Sequence, residues 1–345
     1  MFAGKMEFKP HKSFLLPDRS FQSIIKRDIT KIAEALGFSE TEVGKVNIIV
    51  SELTTNLLKH GATDGEFLVK PVGPDNNGLE IICLDLGPGM SDPQRMLQDG
   101  VSTTGTRGEG LGAIKRLAHE FDIFSAPGVG TIVLARLYKT PPQPGFLKDK
   151  SFEVGVVMVP KMGEIYCGDG GAMVMGTGYC RFLVADGLGH GEFAQQASQQ
   201  AIAGFRQFSS LGPAETIKAM HAPMKKTRGA VVNVATLDLV KQTLTYCGVG
   251  NIAGRILAQA DAGKNLISYN GILGHNIPNT INNHDLPWQQ NFLLVLHSDG
   301  IKSKWDISRF RDLNRQDPSV IAAVIYKYFN RGTDDVMVVV CRTRG

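Results

Sequence analysis

The sequence predicts an α+β protein of two domains, and three observations carry that expectation. The chain is 345 residues long, enough for two hydrophobic cores. It is broken by Pro141-Pro142-Gln143-Pro144-Gly145, which can continue neither a helix nor a strand and suits a short, stiff linker. On both sides of that break, helix-period segments are interspersed with short apolar runs ending in Gly and Asp, the pattern of strands closed by turns. The boundaries that follow are residues 1–139 for the first domain, 140–149 for the linker and 150–345 for the second domain.

Composition narrows the function classes. Apolar residues make up 43% and charged residues 20%, which describes soluble globular material, and a formal charge of +4 is too small to argue for nucleic acid. No uninterrupted apolar run reaches membrane-spanning length, and Met1-Phe2-Ala3-Gly4-Lys5 lacks the apolar core of a signal peptide. The 5 cysteines are scattered and mostly lie inside apolar runs, so they read as reduced core thiols in a cytoplasmic protein.

In the first domain a strand is expected around residues 8–15. Residues 21–36 follow a helical period and stop at Gly37, a residue suited to the left-handed position after a helix. Ser39-Glu40-Thr41-Glu42 reads as a capping box opening a second helix, with Val43, Val46, Val50, Leu53 and Leu57 on its apolar face. Residues 66–72 and 79–85 read as paired strands around the turn Pro74-Asp75-Asn76-Asn77-Gly78. A glycine-rich loop over residues 100–112 then leads into a helix at 111–120, and strands at 121–125 and 131–138 close the domain. In the second domain, strands are expected at 152–159, 230–237, 243–247, 292–297 and 336–341, and helices at 192–208, 213–224 and 319–329.

The second domain gathers carboxylates at strand ends. Phe182, Leu183, Val184 and Ala185 read as a buried strand that ends in Asp186-Gly187-Leu188-Gly189-His190-Gly191. Similar endings stand at Cys167-Gly168-Asp169-Gly170 and at His297-Ser298-Asp299-Gly300, and Asp334-Asp335 opens the last strand. Any one Asp-Gly taken alone is a turn. Four together, with no Cys/His ligand spacing nearby, describe an all-oxygen site for hard divalent ions such as Mg²⁺ or Mn²⁺. Cys247 is followed by Gly248-Val249-Gly250, but Arg255 is two positions too distant for a cysteine-phosphatase loop. His190 reads as packing or hydrogen-bonding beside the loop, and Lys225-Lys226-Thr227-Arg228 as a solvated turn.

The first domain offers the parts of a nucleotide site. Glu52 and Asn56 share one face of the second helix. Asp85 ends a strand beside Gly87 and Gly89, and Gly105, Gly108, Gly110 and Gly112 punctuate the run into the next helix. Such a loop lets backbone N–H groups approach phosphates, with the helix N-terminus favouring the negative charge. It lacks the Lys-Ser/Thr ending of a P-loop and does not follow a strand as a dinucleotide fingerprint should.

These motifs carry two family resemblances. "SELTTNLLKHG", "DLGPGM", "LQDGVSTTGTRGEGLG" and "IKRLAHEFDI", in that order, resemble the GHKL ATPase fold in its stressosome switch-kinase branch, over about residues 10–138. The resemblance implies an α/β sandwich that binds ATP, with Asp85 on the adenine amino group, Asn56 holding the Mg²⁺ of the nucleotide and Glu52 as catalytic base. It also implies that Gly87, Gly89, Gly105, Gly108, Gly110 and Gly112 shape the lid and phosphate loop, with Thr131 near the adenine. "CGD", "VADGLGHG", "GN", "SDG" and "DD" before a strand resemble the SpoIIE-type branch of the metal-dependent (PPM-type) Ser/Thr protein phosphatases, over roughly the last 195 residues. That implies an αββα sandwich with two ions between the sheets, bridged by Asp186 and bound by the Gly187 carbonyl, Asp169, Asp299 and Asp334 or Asp335. Met337 stands where that family often has Thr.

Together the resemblances imply a bifunctional regulator of partner switching in bacterial stress signalling. Kinase and phosphatase would act on one partner, a STAS-domain phosphoprotein, and set its phosphorylated fraction. The alternative is a phosphatase whose first domain binds nucleotide and a partner without catalysis. No residue encodes the oligomeric state.

Overall fold

The computed structural model describes residues 4–59, 64–97, 110–141, 151–258 and 261–343. Its architecture is α+β, as the sequence predicts, and the chain divides into two compact units. One is His11–Asp149 with Ile307–Val324; the other is Met1–Pro10, Lys150–Asp306 and Ile325–Gly345. Two pieces therefore depart from the boundaries read from the sequence. The first ten residues go with the second domain's unit, and residues 307–324 go with the first domain's. Of the linker expected at 140–149, residues 142–149 lie outside the described residues.

The chain opens with β1 (Gly4–Glu7), which belongs to the other unit and is placed below. The first domain's unit then runs β2 (Lys12–Leu16), α1 (Gln22–Ala35), α2 (Glu40–Lys59), β3 (Gly65–Val72), β4 (Gly78–Leu84), α3 (Gly110–Leu117), β5 (Glu120–Ala126) and β6 (Gly130–Tyr138). α1 stops where the sequence places its stop. Gly37 takes a φ of +79°, and the Phe38 and Gly37 N–H groups donate to the carbonyls of Ala33 and Glu34 at 3.1 and 2.9 Å, the paired bonds of a Schellman motif. α2 is capped by Ser39, whose hydroxyl accepts the Glu42 N–H at 3.3 Å. The expected capping box is half made, because the Glu42 carboxylate accepts from Lys45 at 2.6 Å instead.

The strands form one antiparallel sheet in the order β2-β3-β4-β6-β5. Period-2 alternation turns Phe67, Ile81, Cys83 and Val133 toward Ile29, Val50 and Leu53 of the helices, in one core. The opposite face is buried as well, at Leu68, Ile82, Leu84 and Leu134. There Arg136 donates to Glu80 at 2.7 Å and to Asp317 at 2.8 Å, and the Phe310 ring meets Phe124 edge-on at 6.1 Å. Residues 307–324 are thus a packed layer of this unit.

The second unit continues with β7 (Phe152–Val159), β8 (Asp169–Gly176), β9 (Tyr179–Gly187), α4 (Glu192–Gln207), α5 (Pro213–Met224), β10 (Ala230–Asp238), β11 (Thr243–Val249), β12 (Ala253–Ala258), β13 (Asp261–Leu266), β14 (His284–Pro287), β15 (Leu293–His297), α6 (Pro318–Phe329) and β16 (Val336–Thr343). Residues 325–329 of α6 belong to this unit. One sheet has the order β1-β8-β9-β10-β11-β14 and the other β13-β12-β15-β16-β7. Phe182, Val184, Leu296, Met337 and Val339 fill the core they share. α4 and α5 cover the outer face of the six-stranded sheet, where Ala197, Ala201 and Phe205 meet Leu183 and Val232. All five cysteines are buried, and no disulfide joins any of them among the described residues. Among the described residues no helix is long and apolar enough to cross a membrane.

β1, β8, β12, β13 and β14 were not among the expected strands. β1 and β13 are short edge strands rich in polar residues and glycine, and they pair because a neighbour offers a free edge rather than because their own pattern demands it.

Candidate metal centre and nucleotide site

The register of β8 and β9 places Asp169 directly opposite Asp186. Asp169 opens β8; it does not close a strand, as its flanks suggest. Asp186 stands at the end of β9, and Gly187 follows because nothing larger fits: a Cβ there would lie 2.0 Å from the Ala194 carbonyl oxygen of α4. Asp299 lies two residues beyond β15, and Asp334 and Asp335 directly precede β16.

The electrostatics single out the same group. Burial pushes the Asp186 carboxyl up to about 8, with the charges of Asp299, Asp334 and Asp335 adding to the rise. Burial, then the charge of Asp186, raises Asp169 well above the ordinary carboxylate range. The Ser298 hydroxyl donates to Asp169 Oδ2 at 2.6 Å, while Asp169 Oδ1 is buried without a hydrogen-bond partner. Asp335 is held differently: its two oxygens accept the backbone N–H groups of Lys161 at 2.8 Å and Gly168 at 2.9 Å. Asp334 is half-buried and accepts the Asp335 N–H at 2.9 Å, and Asp299 accepts the Asn251 amide at 2.9 Å.

Among the described residues no three acidic, histidine or cysteine side chains stand close enough to hold an ion between them as placed. The carboxylates share one electrostatic field without converging on a single point. Their chemistry nevertheless fits a hard divalent cation. Every donor is oxygen, one buried oxygen lacks a partner, and the negative charges are disfavoured until a cation offsets them. No role for Ser298, Asn251 or the Lys161 and Gly168 amides follows from the sequence. Ser298 and Asn251 do stand inside its "SDG" and "GN" runs, and that was the available signal.

In the other unit, the start of α3 lies against α2. A Cβ on Gly110 would sit 2.8 Å from Glu52 Oε2 and 3.6 Å from Asn56 Oδ1, so the backbone at the start of α3 comes close to both side chains. Asp85 is buried; its Oδ1 accepts the Gly87 N–H at 2.6 Å and its own N–H donates to the Thr131 carbonyl at 3.0 Å. The Ser125 hydroxyl links this corner, donating to the Gly130 carbonyl at 2.8 Å and lying 2.9 Å from the Thr131 hydroxyl. Gly89, at a φ of +69°, turns the chain beside Ala126.

Comparison with known proteins matches both halves. The histidine kinase-like ATPase domain family matches residues 22–137, and the stage II sporulation protein E (SpoIIE) family matches residues 176–344. The serine/threonine-protein kinase RsbT of Bacillus subtilis (strain 168) is 36% identical over 105 residues, covering 30% of this chain and 78% of RsbT. The chain joins an RsbT-like ATPase domain to a SpoIIE-type phosphatase domain. It belongs to both families.

The phosphatase domain is also similar to the phosphoserine phosphatase RsbX of Bacillus subtilis (strain 168), 26% identical over 148 residues, covering 42% of this chain and 73% of RsbX. A solved structure described as "The bacterial stressosome: a modular system that has been adapted to control secondary messenger signaling" is 30% identical with a TM-score of 0.52, covering 55% of this chain and 99% of that one. The crystal structure of RsbX in complex with magnesium shares the fold, at 22% identity and a TM-score of 0.51, over 56% of this chain and 96% of that one. In the ATPase domain, Gly105 and Gly108 lie outside the described residues, whereas Glu52, Asn56 and Gly110 come together and Asp85, Gly87 and Thr131 form a second group.

Proposed function

We propose that this chain is a partner-switching regulator of the bacterial cytoplasm that both removes and adds phosphate on one partner protein. The observation that carries the reading is the Asp169–Asp186 pair, opposed across β8 and β9, with a partnerless buried oxygen and an Asp186 carboxyl pushed up to about 8. The phosphatase domain then hydrolyses phosphoserine or phosphothreonine on a STAS-domain protein. Two Mg²⁺ or Mn²⁺ ions bound there would supply an acidified water and neutralise the phosphoryl charge.

The chain's own part is to hold the ions and order the loops. Asp186, the Gly187 carbonyl, Asp169 and Asp299 would hold the ions. The two backbone bonds to Asp335 leave Asp334 the freer ligand, which supports Asp334 as the ion-binding member of the pair and Asp335 as a clasp for the preceding loop. Ser298 orients Asp169, and Asn251 orients Asp299.

The ATPase domain is read as a Ser/Thr kinase toward the same partner. ATP with one Mg²⁺ would bring the transferable phosphoryl group. Asp85 would take the adenine amino group, Asn56 would hold the ion and Glu52 would accept the substrate hydroxyl proton. The closeness of Gly110 to Glu52 and Asn56 supports this placement, because it brings the end of the glycine-rich run onto both residues.

The test is to incubate the purified chain with ATP, Mg²⁺ or Mn²⁺ and STAS-domain proteins while following phosphate on the partner. Wild type should transfer and remove phosphate. Glu52→Ala should keep nucleotide binding, lose transfer and retain removal. A wild type that binds ATP yet phosphorylates no partner would instead make the first domain a non-catalytic, partner-binding module.

A further inference from the structure

Two loops flank the carboxylates of the phosphatase domain, and both hold large apolar side chains in water. The loop at residues 160–168 joins β7 to β8 and presents Met162 at 81% and Ile165 at 88% exposure. This is no frayed segment, since the Lys161 and Gly168 N–H groups pin its two ends to Asp335. The loop after Asp186 leads to Phe193 at the start of α4, itself 57% exposed. Glu164 and His190 tie the two loops together, with Glu164 Oε1 2.6 Å from His190 Nδ1.

A cation completes this surface. The Arg228 guanidinium lies 5.0 Å above the Phe193 ring, on an exposed turn that also carries Lys225 and Lys226. Among the described residues no carboxylate pairs with Arg228. The Leu188 N–H donates to the Gly229 carbonyl at 3.0 Å, which fixes this turn against the loop that follows Asp186.

Met162, Ile165 and Phe193 pack on no core cluster, and exposed apolar side chains grouped beside a polar site mark an interaction surface. The charge pattern selects the occupant. A carboxylate centre repels an anionic substrate, and Arg228, Lys225 and Lys226 at its rim offset that repulsion for a phosphoryl dianion. We propose that these two loops are the docking surface for a phosphoserine- or phosphothreonine-bearing protein segment. An apolar side chain of the segment covers Met162 and Ile165, and its phosphoryl group passes Arg228 toward Asp186. This rests on the phosphatase reading of the site.

The test compares three substrates with Mn²⁺: para-nitrophenyl phosphate, a phosphoserine peptide flanked by leucine and isoleucine, and the same peptide flanked by glycine and serine. Wild type should favour the apolar-flanked peptide by about 10-fold in kcat/KM, the scale set by covering one or two apolar side chains. The double variant Met162→Ser/Ile165→Ser should lose that preference while para-nitrophenyl phosphate turnover stays unchanged. Arg228→Gln should raise KM for both peptides and leave kcat alone. Equal rates on the two peptides in wild type would overturn the proposal, as would a double variant that slows all three substrates alike. Loss of binding to anionic lipid vesicles in the double variant, without any peptide preference in wild type, would overturn it in favour of a membrane contact. A wild type inert toward every substrate would remove the phosphatase reading itself, and the docking surface with it.

Discussion

Asp186→Asn should stabilise the phosphatase domain when divalent ions are removed, the reverse of what losing an ordinary polar contact does. The folded-state carboxyl sits at about 8, against roughly 3.9 for an unfolded aspartate. Because the folded value is the higher one, the stability this group contributes is full below about pH 4 and is lost as pH rises toward 8. At about 1.36 kcal/mol per pH unit, the loss accumulated by pH 7 has a ceiling of about 4 kcal/mol. Relaxation and water entry into a half-buried site bring the expected value to about 1–3 kcal/mol. Asparagine keeps the shape and sheds the charge. In EDTA at pH 7.5 the variant should melt several degrees above wild type, since about 1 kcal/mol moves a domain of this size by about 2–4 °C. The two melts should converge near pH 4.5. With Mn²⁺ the order should invert, because wild type gains binding energy that the variant largely forgoes. The assay is a pH series of thermal melts, resolved into two transitions for the two units. An EDTA-treated variant that melts with or below wild type at every pH would show that Asp186 carries no electrostatic strain, and the carboxylate group would lose its claim to be a cation site.

Two further outcomes are expected. Asp85→Asn should weaken adenine-nucleotide binding by at least about 10-fold in calorimetry, the cost of about one charge-assisted hydrogen bond, and leave the phosphatase-domain melt in place; unchanged affinity would remove Asp85 from the adenine site. Arg136→Met should destabilise the ATPase unit by about 3–5 kcal/mol in denaturant melts, because it removes the cation that joins buried Glu80 to Asp317 and leaves Glu80 only Lys70 and His11. Burial opposes the Glu80 charge, but Lys70 and Arg136 hold its carboxyl well below the usual range, so its stabilisation is present at neutral pH and lost as pH falls. The variant should therefore also acid-denature at a higher pH than wild type.

The parts of this molecule that could be read from sequence are those in which local chemistry and tertiary role agree. Gly37 ends α1 in a Schellman motif because a left-handed position there needs glycine, and the same glycine announces it in the sequence. Asp186 and Gly187 are legible for the same reason: the strand pattern before them and the close approach of α4 after them both act within a few residues. Edge strands were not legible. β13 carries Asp261, Gly263 and Asn265, residues that disfavour strands, and its pairing with β12 is set by a partner's free edge. The support of the carboxylate group was hidden in another way. The carboxylate of Asp335 is bonded to backbone N–H groups of Lys161 and Gly168, and a backbone group carries no sequence signature.

The domain boundaries show the same limit on a larger scale. The Pro-rich break near residue 141 is a real local signal, yet it does not separate the units cleanly. Residues 307–324 lie within the segment that matches the SpoIIE family, but they pack in the unit built on the ATPase sheet. The contact that fixes them there is between Arg136 and Asp317, 181 residues apart in sequence. Arg136 stands in β6 among apolar neighbours, where a lone cation reads as an edge or solvent position. It is buried because Glu80 meets it from β4 and Asp317 meets it from residues 307–324. A buried guanidinium is tolerated only when carboxylates neutralise it and fill its donors, and Asp317 supplies two of those acceptors beside Glu80 and Glu120. The ATPase sheet therefore carries, on its second face, a requirement for a piece of chain that its own family pattern does not contain. A cut at the Pro-rich break would leave the ATPase sheet without residues 307–324, which pack in its unit.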